Sequence, residues 1–122
     1  MYYGDFDGLE CVLREFQIDS VGGEIVAAGY SQPSYEGYAK VVFLSGGKLW
    51  IVEGSHCSCY GLEGQWEPDE MPLEGLRKMA NNGEDDYYGD PIWTIALGRL
   101  EELGVTCDED LGNAETLLKV LS

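Results

Sequence analysis

Two apolar runs separated by three small residues constrain this chain more than any other feature. Residues 38–44 carry Val41, Val42 and Phe43, residues 48–53 carry Leu49, Trp50, Ile51 and Val52, and Ser45-Gly46-Gly47 lies between them. Runs of this length, rich in β-branched and aromatic residues, favour strands, and a Gly-Gly pair supplies the positive φ of a tight hairpin turn. The spacing predicts a β-hairpin. A third run at 24–30, built of small and β-branched residues, precedes it. The polar stretch SQPSYEG, holding Pro33 and Gly37, is long enough to close a second hairpin. The expected centre is a three-stranded antiparallel sheet over 24–30, 38–44 and 48–53.

The flanks read as helical. Leu9, Val12, Leu13 and Phe16 follow the i, i+3, i+4, i+7 spacing of one helix face, and Asp7 with Glu10 forms a capping-box pattern before them. Pro72 opens a segment with Leu73, Leu76 and Met79 that Asn81-Asn82-Gly83 closes. Asp90-Pro91 opens another, with Ile92, Ile95, Ala96, Leu100 and Leu103 inside and Gly104 as its stop. Thr106 with Glu109 offers a second capping box before a last helix holding Leu117, Leu118 and Leu121. Residues 54–71 show no period and predict an ordered loop pinned by Tyr60, Leu62 and Trp66, with room for a short strand. The order of elements predicts an α+β fold, its sheet covered on one face by the N-terminal helix and two or three C-terminal helices.

With 122 residues, the chain is expected to be a single domain, 1–122. Its 23 Asp and Glu stand against 7 Lys and Arg, a formal net charge of −16, while 44% of its residues are hydrophobic. The apolar content is that of a folded domain, so the charge belongs to a globular surface and not to a disordered acidic tail. Direct binding to phosphate backbones is excluded as a main activity, because it needs clustered Lys and Arg, and anionic membranes are disfavoured for the same reason. The opening MYYGDFDGLE has neither a basic leader nor a long apolar run, which sets a cytoplasmic expectation. Cys11, Cys57, Cys59 and Cys107 are then expected as free thiols, Cys11 and Cys107 as small core residues.

Two groups of residues are candidates for chemistry. Glu53, His56, Cys57, Cys59 and Glu63 are dense in zinc-ligand types. Their spacing argues against a structural site, since Cys57 and Cys59 form C-x-C, His56 is adjacent, and no second Cys or His pair exists. Neighbouring residues on an extended chain point to opposite sides, so a Cys–His nucleophile is disfavoured too. A metal-binding or thiol-based module on His56, Cys57 and Cys59 is the alternative reading; no cofactor and no enzymatic activity is expected. The second group is the carboxylates, in runs at 67–70, 84–86 and 108–110. Any one run suits a solvated surface, but a charge of −16 exceeds the ~2–8 that solubility asks of a small domain. Self-repulsion costs stability, and a basic partner offers a reason to tolerate it. Glu84, Asp85, Asp86, Tyr87, Tyr88 and Asp90 place two aromatic anchors among four carboxylates, and Asp69 and Glu70 extend the candidate partner surface. A homodimer is a further expectation, through a sheet edge or aromatic patch.

The string EGSHCSCYGLEGQWEP at 53–68, with the preceding GYAKVVF and KLWIVEG, resembles a segment of small uncharacterised phage and prophage proteins. The likeness runs from about Gly37 to Pro68 and excludes the C-terminal helices and the acidic loop. It implies a viral accessory protein and assigns no residue a role. Small acidic phage proteins often inhibit host machinery, nucleic-acid-binding defence complexes such as CRISPR effectors among them. The resemblance therefore implies an anti-CRISPR-like or nucleic-acid-mimic inhibitor whose partner is a basic protein or nucleoprotein.

Overall fold

The computed structural model describes residues 1–32, 36–56, 61–81 and 91–121. Its elements run β1 (Tyr2–Gly4), α1 (Leu9–Phe16), β2 (Glu24–Ser31), β3 (Gly37–Ser45), β4 (Lys48–His56), β5 (Asp69–Met71), α2 (Leu73–Asn81), α3 (Ile92–Glu102), a 3₁₀ turn (Asp108–Asp110) and α4 (Leu111–Leu121). The class is α+β.

The hairpin forms at Gly46 and Gly47, whose φ values of 61° and 75° need residues without a side chain. From Ser45↔Lys48 the β3–β4 register runs unbroken to Gly37↔His56, so both strands outlast the apolar runs that announce them. The sheet has five strands in the order β1-β2-β3-β4-β5, two more than the three expected. β1 lies parallel to β2, with Tyr3 opposite Gly29, and β5 lies antiparallel to β4, with Glu70 opposite Trp50. Each added strand has three residues, too few to carry a period-2 pattern.

Helices cover both faces, a correction to the expected single covered face. Val42, Leu44, Leu49 and Ile51 face α2, α3 and α4. Val41, Phe43 and Val52 face the other way and meet Phe6, Val12 and Phe16 of the N-terminal segment and Leu62 of the long loop. An antiparallel strand with one wet face alternates; VVFL and LWIV do not, because both of their faces are buried. A register shift between Ile25 and Ala27 in β2 puts Val26 and Ala27 in the same core.

The helix ends depart from their expected caps. α1 starts at Leu9 with Gly8 at its N-cap and no side-chain cap bond, so Asp7 is not the cap. α2 is capped from 35 residues away, the Leu73 N–H donating to Asp108 Oδ1 at 2.7 Å. Asp110, not Glu109, closes the turn after Thr106, accepting from the Thr106 N–H and hydroxyl at 2.9 Å each. Cys107 is exposed and free, not a core residue, and Cys11 is half-buried. Trp93 is buried under the Lys40 ammonium, which sits 5.2 Å from its ring centre. On α4, Leu111, Ala114 and Leu118 are buried, whereas Leu117 and Leu121 are exposed. No helix among the described residues is long and apolar enough to cross a membrane.

Candidate functional site: a cleft in the outer edge of β4

The hairpin turn sets which backbone groups of β4 face outward. Lys48 closes a two-residue turn with Ser45, so the hydrogen-bonded pairs with β3 are at 48, 50, 52, 54 and 56. The N–H and C=O of Leu49, Ile51, Glu53 and Ser55 therefore point away from β3. Met71 and Asp69 of β5 lie opposite Leu49 and Ile51. Ser55 is met by a side chain: its N–H donates to Gln65 Oε1 at 2.9 Å and its carbonyl accepts from Gln65 Nε2 at 2.7 Å. The Gln65 amide takes the place of a strand residue.

Between these two closures the edge is open. The chain at 66–68 leaves the ladder because Trp66 turns into the core, edge-on to Phe16 at 5.1 Å and stacked on Phe43 at 5.6 Å, and because Pro68 has no N–H to offer. A cleft of about 400 Å³ results, lined by Ile51, Glu53, Gly64, Gln65, Glu67 and Asp69. A second depression of about 340 Å³ shares Glu53 and Gln65 and continues over Tyr38, Lys40 and Ser55. Glu53, Glu67 and Asp69 are exposed, which places three carboxylates on one mouth. Among the described residues Arg14, Lys48, Arg77 and Lys119 pair with other carboxylates, and Arg99 donates to the Val26 carbonyl at 2.9 Å. Lys40 stands opposite Glu53 in the β3–β4 register and lines the second depression with it, so one cation borders the mouth.

Alternation along β5 splits the expected pair Asp69 and Glu70. Asp69 lines the cleft, while Glu70 turns away and meets Lys48 at 3.3 Å. Glu84, Asp85, Asp86, Tyr87, Tyr88 and Asp90 lie outside the described residues, as do Cys57 and Cys59. Glu53 and Glu67 joined the site without having been singled out for it. With Ile51 opposite Asp69, the chain just before β5 brings Glu67 to the same cleft as Glu53, a relation visible only once β5 is recognised.

His56 ends β4, and its Nε2 is engaged by the Tyr30 hydroxyl across the intervening β3. The imidazole lies over Gly37, where a Cβ would collide with it. Burial, with Glu15, Asp5 and Glu63 nearby, pushes the Tyr30 hydroxyl up to about 12, so it stays protonated at neutral pH. Glu63 is held below the usual carboxylate range by its own and the Gly61 N–H, with the neighbouring His56 adding to the effect. Among the described residues no three of His, Cys, Asp and Glu are grouped to hold a metal ion. No protein-family model, curated protein or solved structure matches the chain.

Proposed function

We propose that this protein is a non-enzymatic, acidic binding protein that docks on a basic, nucleic-acid-binding surface of host or defence machinery, in the manner of a phage-type, anti-CRISPR-like inhibitor. The observation that carries this reading is the mouth of the β4 edge cleft. Glu53 of β4, Asp69 of β5 and Glu67 of the segment just before β5 stand exposed there, on a chain with a net charge of −16. Carboxylates fixed to a sheet can meet a row of Lys and Arg without being ordered first, which lowers the entropy cost of binding. The partner is then a basic protein or nucleoprotein, and association is steered and salt-sensitive. In this reading a chain with 7 Lys and Arg against 23 Asp and Glu binds neither nucleic acid nor membrane itself, and its site of action is the cytoplasm of the host cell.

The test is affinity capture from host lysate at low and high salt, followed by competition with the partner's own nucleic acid. The reading expects a basic partner that is lost at high salt and displaced by the nucleic acid. A partner retained equally at both salt concentrations, or captured together with its nucleic acid, contradicts it.

A further inference from the structure

Gly64, at a φ of 78°, turns the chain so that the Gln65 N–H donates to the Leu62 carbonyl at 3.1 Å. Leu62 is fully buried and packs over Gly54 of β4, whose missing side chain leaves room for it. The turn therefore returns Gln65 to the outer edge of β4. There its amide is engaged at three points. Oε1 accepts from the Ser55 N–H at 2.9 Å, and Nε2 donates to the carbonyls of Ser55 at 2.7 Å and Gly61 at 3.0 Å. Both amide protons are thus committed. Gly61 is clasped from its other side as well, its N–H donating to Glu63 Oε1 at 3.3 Å. Gln65 lines both depressions at this edge, as Glu53 does. Next along the chain come Trp66, packed on Phe16 and Phe43, and the exposed Glu67.

We propose that Gln65 is the positioning residue of the anionic mouth: its amide, standing in for a strand residue at Ser55, fixes where Glu67 stands relative to Glu53. The inference rests on the reading of that cleft as the docking surface. Its basis is the set of groups that the slot presents. Ser55 offers an N–H beside a C=O, and Gly61 offers a second C=O. A planar amide, with one acceptor oxygen and two N–H donors, satisfies all three. A carboxylate of the same shape has no proton to give, and its charge would face two carbonyl oxygens. An alkyl side chain would leave all three groups unanswered. A glutamine that serves only to solvate a surface has no such demands and keeps its rotamers, whereas this one is ordered at both ends of its amide. Glu67 then lies between two fixed points, the Gln65–Trp66 pair on one side and Asp69, opposite Ile51, on the other. Carboxylates whose spacing is set before a partner arrives need less ordering on binding.

Two substitutions test this in the full chain. Gln65→Glu keeps the shape and removes the donors, and Gln65→Ala removes the amide without altering the charge. Hydrogen exchange reads the closure with no partner present. In both variants the Ser55 N–H should exchange at least about tenfold faster than in the wild type at neutral pH, because the hydrogen bonds that hold the segment to the strand are lost. For Gln65→Glu the excess over wild type should narrow as the pH falls to about 5, since a carboxyl facing two carbonyls takes up its proton above the usual range and can then donate to one of them. Gln65→Ala should show no such recovery. Binding is read with a hexa-arginine peptide at low salt. Gln65→Ala should weaken it about threefold or more although no charge has changed. An excess exchange that does not narrow in Gln65→Glu, or a peptide affinity that Gln65→Ala leaves at the wild-type value, overturns the proposal. Glu67→Lys with Asp69→Lys, titrated alongside, separates the two ways of failing. If the double reversal lowers peptide affinity and Gln65→Ala does not, the positioning role falls and the docking cleft stands. If the double reversal leaves affinity unchanged too, the docking reading itself falls.

Discussion

Gly37 decides whether β2 and β4 can touch across the strand between them. Its missing side chain leaves room for the His56 imidazole, and that ring holds the Tyr30 hydroxyl against a well packed Phe6, whose ring centre is 5.1 Å from that of Tyr30. Gly37→Ala should displace the imidazole and cost about 1–3 kcal/mol, the usual range for overpacking a filled site. Tyr30→Phe should cost about 1 kcal/mol for the lost hydrogen bond. The double variant should cost less than the sum, since either change alone breaks the same bond. Urea denaturation of the three variants checks this, and strict additivity would show that Gly37 and the Tyr30–His56 bond are unrelated. Asp110 acts by charge. Hydrogen bonds from Thr106, and then from Cys107, hold its carboxyl below the usual range. A carboxyl lowered in the native state stabilises it fully above about pH 4, the ordinary Asp value, and loses that contribution as the pH falls through the native value. Asp110→Ala should therefore be less stable than the wild type at neutral pH, by a margin that narrows on acidification. A margin that does not change with pH would remove the charge from the explanation.

At the scale of elements, the acidic run at 108–110 illustrates how much a sequence conceals. As a string it reads as solvated surface, yet Asp108 caps α2 and Asp110 closes the turn before α4. The cap on α2 spans 35 residues, beyond any local capping pattern. Asp108→Ala should cost about 1 kcal/mol, as loss of an N-cap does, with thermal denaturation as the readout; an unchanged Tm would show that Leu73 finds another partner. Trp66 was legible, because a large aromatic in a stretch without period has to pack somewhere. Its removal should cost about 2 kcal/mol, less than for a fully buried Trp, and should loosen the 61–68 segment that frames the cleft. Hydrogen exchange checks the second part: protection lost at Ser55 and Gln65 supports the framing role, and unchanged protection contradicts it. The hairpin was legible for the opposite reason, since Gly46-Gly47 needs only its immediate neighbours to declare itself. β5 was not, because Asp-Glu-Met has no strand composition and pairs only because β4 offers an edge.

For the whole molecule, the apolar runs gave the α+β class correctly, while their lack of alternation marked two-sided burial that a one-layer reading overlooks. Leu117 and Leu121 fit a helical spacing equally well inside or outside, and Leu111, Ala114 and Leu118 fill the core instead, leaving the other two at the surface. Net charge was fully legible; its placement was not, because the position of Glu53, Glu67 and Asp69 around one cleft depends on the register of β4 with β5. Glu67→Lys with Asp69→Lys changes the local charge by four units without entering either core. Binding of the captured basic partner by this double variant, relative to wild type, across a salt series is the most direct measurement. Loss of affinity of at least about tenfold at low salt, shrinking as salt screens the contact, is the result expected of an anionic docking surface at the β4 edge. Affinity unchanged by the double reversal at every salt concentration would contradict it.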